Sequence, residues 1–179
     1  MAWREPKLRL EQLEEKVPEL FEQPRTVLYV GAMKKQHQCV EELREAGCTI
    51  TLLELVEGNC EYYEGKDLFH HIVCGDVREV DQHFDPGSFD VAFWWHGPEH
   101  VAQDDVAPSV AKLEEIATEL IVLASPWGKT RKWTYTVIGR DHLCALYVDD
   151  YLNMGFNVAT LGEADRWRKG TQLLAWKWL

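Results

Sequence analysis

The chain has 179 residues, 46% of them hydrophobic and 27% charged, values that exclude wholesale disorder and collagen-like or low-complexity architecture and leave room for one core burying roughly 70% of the unfolded surface. A formal charge of −11 excludes the chain-wide basic footprint of a protein that lives on nucleic-acid phosphates or anionic lipid, so no long nucleic acid is expected as a partner. No apolar run approaches the ~18 residues of a membrane span, and the opening MAWREPKLRLEQLEEK lacks the apolar stretch and cleavage site of a secretory signal, which points to no membrane partner and a cytoplasmic protein.

Taken in chain order, residues Pro6 to Phe21 place Leu10, Leu13, Val17, Leu20 and Phe21 at three- and four-residue steps, an amphipathic helix that Pro18 kinks or ends. Arg25 to Ala32, RTVLYVGA, is a continuous apolar run ending in glycine, the pattern of a strand buried on both faces. Lys35 to Ala46 predicts a helix closed by Gly47, and Thr49 to Leu55, TITLLEL, a second buried strand. A helix-compatible stretch from Glu57 to Lys66 leads to a weaker strand, Phe69 to Cys74, ended by Gly75-Asp76. The turn Asp85-Pro86-Gly87-Ser88 precedes the strand FDVAFWW, Phe89 to Trp95. A helix follows between Gln103 and Ala117, then a fifth strand, Leu120 to Ala124, stopped by Ser125-Pro126, and a helix from about Asp141 to Met154. Phe156 to Leu161 and Thr171 to Trp178 leave no room for a packed helix between them and predict an antiparallel hairpin.

Strands alternating with helices at this spacing predict an open α/β sheet with right-handed crossovers. No internal repeat or long linker divides the chain, so residues 1–179 read as one domain. The cysteines Cys39, Cys48, Cys60, Cys74 and Cys144 are odd in number and scattered without a CxxC pair, so reduced, buried thiols are expected. In open α/β sheets ligands bind at the carboxyl ends of the strands, which directs attention to Gly31, Glu54, Asp76 and the segment Trp94 to Gly97.

These residues resemble a class I S-adenosylmethionine-dependent methyltransferase. The most specific piece is Phe84 to Val101, FDPGSFDVAFWWHGPEHV, similar to that family's turn, Phe-Asp, apolar strand and Glu-His string. The family's first motif, an apolar strand entering a G-x-G-x-G turn, is matched by VLYVGAMKK, which keeps only Gly31. Met33 and Lys35 stand where the second and third glycines would fall, and Tyr29 where the family carries an acidic residue.

The resemblance implies a three-layer Rossmann-like sandwich: a mostly parallel seven-stranded sheet with an antiparallel C-terminal hairpin, plus an N-terminal helix. It divides the domain into an N-terminal helical cap (1–24), a cofactor-binding half (25–124) and a substrate-side half (125–179). It implies S-adenosylmethionine as cofactor, S-adenosylhomocysteine as product and a small-molecule acceptor, and leaves a homodimer open. The cofactor residues it implies are Tyr29, Gly31, Ala32, Met33, Glu54, Leu55, Asp76, Val77, Trp94 and Trp95. Among them Glu54 suits a vicinal diol, because a carboxylate only accepts hydrogen bonds, and Trp94 and Trp95 alternate across their strand.

Methyl transfer from a sulfonium needs a base only where the acceptor must lose a proton, and the candidates are His96, Glu99 and His100. The segment Ser125 to Trp133 interleaves cations and aromatics, so Trp127, Lys129, Arg131 and Trp133 are candidate acceptor contacts, joined by Arg166, Arg168 and Lys169. No metal site is expected: His96 and His100 align as ligands only on a continuous helix, which Gly97-Pro98 opposes. Two other readings use the same residues. An NAD(P)-dependent oxidoreductase would share Glu54, although VGAMKK departs from G-x-G-x-x-G. An inactive scaffold that serves as an interaction protein would explain the lost glycines.

Overall fold

The run of β-branched and aromatic residues from Thr26 to Val30 forms the central strand, β1, of a seven-stranded sheet. The computed structural model describes residues 5–34, 37–128, 142–161 and 172–179, with backbone only for 5–9 and 161. In chain order the elements are α1 (Glu5–Lys16), β1 (Thr26–Val30), α2 (Val40–Glu45), β2 (Thr49–Glu54), α3 (Glu57–Glu64), β3 (His71–Cys74), α4 (Val80–His83), β4 (Phe89–Trp95), α5 (Gln103–Ile116), β5 (Ala117–Pro126), α6 (Val148–Asn153), β6 (Asn157–Leu161) and β7 (Gln172–Trp178). The sheet order is β3-β2-β1-β4-β5-β7-β6, with β1 to β5 parallel and β7 antiparallel to both its neighbours. The expected mostly parallel sheet with a terminal antiparallel hairpin is present, and β7 inserts between β5 and β6. The order reverses between β1 and β4, placing the switch point at the carboxyl ends of those strands.

Apolar residues on both faces of the sheet explain its central position. Val27, Tyr29, Ile50, Leu52, Val91, Phe93 and Trp95 pack on one face with α1 and α2. Leu28, Val30, Leu53, Ala92, Trp94 and Ile121 pack on the other with α5 and Tyr151 of α6. The N-terminal helix lays Leu13 into the first of these layers, with Val17 and Leu20 just beyond it. Buried Arg25 ties this end to β5 through Glu119 at 2.9 Å. Among the described residues no helix is long and apolar enough to cross a membrane.

Where the elements differ from expectation, a local or tertiary cause is visible. Helix α2 starts at Val40 because Cys39 takes a left-handed backbone, φ 65°. Strand β5 begins at Ala117, three residues early, because Ala117 is extended and pairs with Phe89. Residues 142–147 are irregular rather than helical, and the amides of Leu143 and Cys144 donate to the Glu99 carbonyl instead of to a preceding turn.

One expectation is overturned. Cys60 and Cys74 form a disulfide between α3 and the end of β3, with Cα atoms 6.2 Å apart, while Cys39, Cys48 and Cys144 keep their thiols. The adjacency of α3 to β3 brings the two together; it is a property of the packing and is invisible in cysteine spacing.

Candidate functional site

The carboxyl end of β1 turns at Gly31, whose φ of +77° is the left-handed conformation that favours glycine. A Cβ there would meet none of the described residues within 4 Å, so among them the backbone faces open space. The rest of this turn is held from behind. Tyr63 donates its hydroxyl to the Met33 carbonyl at 2.9 Å, and Tyr29 donates to the Gln38 carbonyl at 3.0 Å. Tyr29 is fully buried and stacks on Phe93 at 5.3 Å, so it is a core residue rather than part of a cofactor surface.

Glu54 closes the end of β2 against this turn. Its Oε2 accepts from the Ala32 amide at 2.7 Å, and its Oε1 from the Val56 amide at 2.8 Å and the Asn59 side chain at 3.1 Å. The carboxylate is 5% exposed, and its neighbour Leu55 is 48% exposed. Asp76 caps the 3-10 turn Val77–Glu79, accepting from the Arg78 amide at 2.9 Å and pairing with the Arg78 guanidinium. The Arg78 hydrogen bond holds the Asp76 carboxyl below its ordinary range, against the opposing effect of burial. Val77 is buried beneath the turn.

Trp94 and Trp95 depart from the expected roles. Both are 2% exposed, Trp94 in the α5-side layer and Trp95 in the α1-side layer, where it stacks on Phe93 at 5.0 Å. A buried central strand directs successive side chains into opposite layers, so the alternation supplies two core residues rather than one core and one site residue.

Beyond β4 the chain bends sharply. His96 has φ 53°, a left-handed conformation uncommon outside glycine, and its amide donates to the Ala124 carbonyl at 2.8 Å. A Cβ at Gly97 would overlap the Trp94 indole, so only glycine fits the next position. Pro98–His100 then forms a single 3-10 turn. This turn brings the three catalytic candidates together: His96 Nδ1 lies 3.0 Å from Glu99 Oε1, and His100 Nε2 lies 3.9 Å from the same oxygen. Glu99 is 3% exposed, and its Oε2 is buried with no hydrogen-bond partner among the described residues. Burial pushes the Glu99 carboxyl up, but the His96 hydrogen bond and the charges of His96 and His100 outweigh it and hold the group below the usual carboxylate range.

His142 completes the cluster without any signal in the local sequence, since it arrives from a distant segment. The Leu143 and Cys144 amides donate to the Glu99 carbonyl at 2.8 and 3.4 Å, and Cys144 Sγ approaches the Pro98 carbonyl at 3.3 Å. Burial raises the Cys144 thiol to about 11, so it stays protonated at neutral pH. These contacts set the His142 ring 5.0 Å from that of His100, and Glu99, His100 and His142 each offer a ligand atom, all within 4.8 Å of one another. The cluster does not pair His96 with His100 as a continuous helix would have; it joins Glu99 and His100, on a 3-10 turn, with His142 from a second segment.

Trp127 is half-buried against the α5-side layer. Lys129, Arg131 and Trp133, with Lys35, Arg166, Arg168 and Lys169, lie outside the described residues. A cleft of about 680 Å³ runs along edge strand β3 between Tyr63, Phe69, His71 and Phe84, away from the switch point.

No family model and no curated protein matches the sequence. Solved structures do. A SAM-dependent methyltransferase from Archaeoglobus fulgidus is similar over 96% of this chain and 94% of its own, at 16% identity and a TM-score of 0.66. A 1,6-didemethyltoxoflavin-N1-methyltransferase from Burkholderia thailandensis, solved with 1,6-didemethyltoxoflavin and S-adenosylhomocysteine bound, is similar over 98% and 78%, at 15% identity and 0.67. A third, an S-adenosylmethionine-dependent methyltransferase from Mesorhizobium loti, covers 94% and 96% at 16% identity and 0.64. Together with the β3-β2-β1-β4-β5-β7-β6 order, these likenesses give this chain the class I, Rossmann-like methyltransferase fold.

Proposed function

We propose that the protein binds S-adenosylmethionine at the carboxyl ends of β1 and β2 and transfers its methyl group to a small-molecule acceptor docked beyond β4. The observation that carries this reading is the pairing of the open, left-handed Gly31 with the Glu54 carboxylate across the switch-point turn. The absence of a side chain at Gly31 leaves the backbone approachable, and Glu54 is an acceptor-only group suited to a sugar diol. The residues fit the cofactor there. When bound, the cofactor would supply an electrophilic methyl group on sulfur.

The chain's own contribution is positioning. Glu54 would exchange its bond from the Ala32 amide for ribose hydroxyls, and Leu55 would offer an exposed apolar edge beside them. His96, oriented by buried Glu99, is the group placed to take a proton from an acceptor, with the base at the mouth of the strand where the acceptor would dock. For a small acceptor the Burkholderia methyltransferase, solved with 1,6-didemethyltoxoflavin bound, is a precedent on the same fold.

A thermal-shift titration with S-adenosylmethionine and S-adenosylhomocysteine, with NAD as control, tests this. Saturation at 100 times the dissociation constant should raise the thermal midpoint by roughly 5–11 °C, and Glu54→Ala should abolish the response. No response at millimolar ligand would leave an inactive scaffold as the reading, which the internally satisfied Glu54 would then explain. A response to NAD alone would select the oxidoreductase.

A further inference from the structure

We propose that Glu99, His100 and His142 bind a divalent first-row transition-metal ion, with His96 as the positioning residue that orients the carboxylate. The three ligand atoms lie within 4.8 Å of one another. Bonds of ~2.0–2.2 Å to zinc-like ions need them closer than this.

Three independent features show that this place is built rather than incidental. The first is the orphaned oxygen. Glu99 is almost wholly buried, His96 engages Oε1, and Oε2 meets no donor among the described residues. A buried carboxylate oxygen without a partner is destabilising unless something compensates it, and a cation is one such partner. The second is the effort spent on convergence. His96 is held in a left-handed backbone that a bulky residue adopts only under constraint, and the segment carrying His142 is moored to the same turn by two amides on one carbonyl, that of Glu99. The third is the donor set. Two imidazoles and one carboxylate suit Zn²⁺, Mn²⁺, Fe²⁺, Co²⁺ or Ni²⁺, whereas Mg²⁺ and Ca²⁺ prefer oxygen ligands. The His96–Glu99 contact has the character of an outer partner that fixes a ligand's orientation.

Three protein ligands leave coordination positions open, as in catalytic rather than structural sites. Metal binding stands apart from the methyltransferase reading. One consequence rests on that reading: an ion beyond the tip of β4 would take an acceptor oxygen as a further ligand and favour its deprotonated form.

The test uses the full chain, freed of any histidine tag and dialysed against chelator. Co²⁺ is titrated by its visible d–d absorption, and Zn²⁺, Mn²⁺ and Mg²⁺ by calorimetry. One Co²⁺ or Zn²⁺ per chain is expected, with Mg²⁺ far weaker. Affinity should fall at least about tenfold in His100→Ala and His142→Ala, and about tenfold in His96→Ala, with no change in His71→Ala, an exposed histidine of β3. Should His100→Ala fail to fold by circular dichroism, His142→Gln carries the test, because it changes a half-buried ring on an irregular segment. Absence of saturable binding, equal affinity in the His142 variants, or equal loss in His71→Ala overturns the proposal. Because these readouts need no S-adenosylmethionine, failure here and failure of the cofactor titration are separate results.

Discussion

The two halves of the switch point handle their polar groups in opposite ways. At the ends of β2 and β3, the carboxylates are closed by the chain itself: Glu54 takes three donors, and Asp76 takes an amide and a guanidinium. Beyond β4 the equivalent carboxylate, Glu99, is more deeply buried, yet one of its oxygens has no partner among the described residues and the chain beside it is bent into a left-handed backbone at His96. A satisfied carboxylate stabilises the fold directly, whereas an under-satisfied one beside a strained backbone gains from a ligand that completes it. The contrast predicts that substitutions on the first side act on stability, with ligand effects following, and that those on the second act on binding first.

The largest effect tests the boundary between the halves. Trp94 and Trp95 connect them and are core residues here, so Trp95→Ala should cost about 3–5 kcal/mol in urea unfolding, as large a loss as any single truncation in the sheet. A cost below about 1 kcal/mol together with loss of cofactor response would move the indole from the core to the site. Next comes the disulfide on the closed side. It spans a sequence separation of 14, for which the loop-entropy account gives about 3 kcal/mol. Comparing urea midpoints of the oxidised chain and a Cys60→Ser, Cys74→Ser double variant checks it, and equal midpoints would mean that α3 is held to β3 by packing alone.

How much of this was legible follows from what each feature depends on. Strand β4 could be read to the residue, because FDVAFWW is bounded by a Pro-Gly turn and a glycine and is buried on both faces. The terminal hairpin was legible from the lack of room for a helix. Gly31 and Glu54 were legible as a pair because strand ends and glycine turns are written locally. Three things were not. The bonds that occupy Glu54 come from Ala32, Val56 and Asn59, on both sides of the crossover. The disulfide depends on how α3 lies along β3. His142 joins Glu99 and His100 only through backbone bonds from the residues that follow it. Each is a tertiary adjacency between segments with no shared periodicity, and periodicity is the only long-range signal a single sequence offers.

A sharper probe of the closed side is Glu54→Gln, which keeps the shape but replaces one acceptor oxygen with an NH₂ group. One or more of the Ala32, Val56 and Asn59 donors then loses its partner, and the expected cost is about 1–3 kcal/mol in urea unfolding. Under the methyltransferase reading, S-adenosylhomocysteine affinity should fall in the same variant. A stability loss with unchanged ligand affinity would make Glu54 a loop clamp and nothing more.

The smallest expected effect is that of pH on the Asp76–Arg78 pair. The Arg78 hydrogen bond lowers the Asp76 carboxyl in the folded chain, so the folded value lies below the unfolded one of 3.8. Stability from the pair is therefore fully present above the unfolded value and is lost as pH falls through the folded one. Arg78 is half exposed, Asp105 competes for it at 3.5 Å, and Lys112 donates to its carbonyl at 2.6 Å. Solvent screening and this sharing keep the contribution below about 1 kcal/mol. Arg78→Ala should accordingly lower the urea midpoint by a small, constant amount between pH 5 and 8, and the difference from the native chain should close below pH 4. A difference that persists undiminished at pH 3 would mean that Arg78 acts through packing of its aliphatic stem rather than through its charge, and the closed side would then be closed by shape and not by electrostatics.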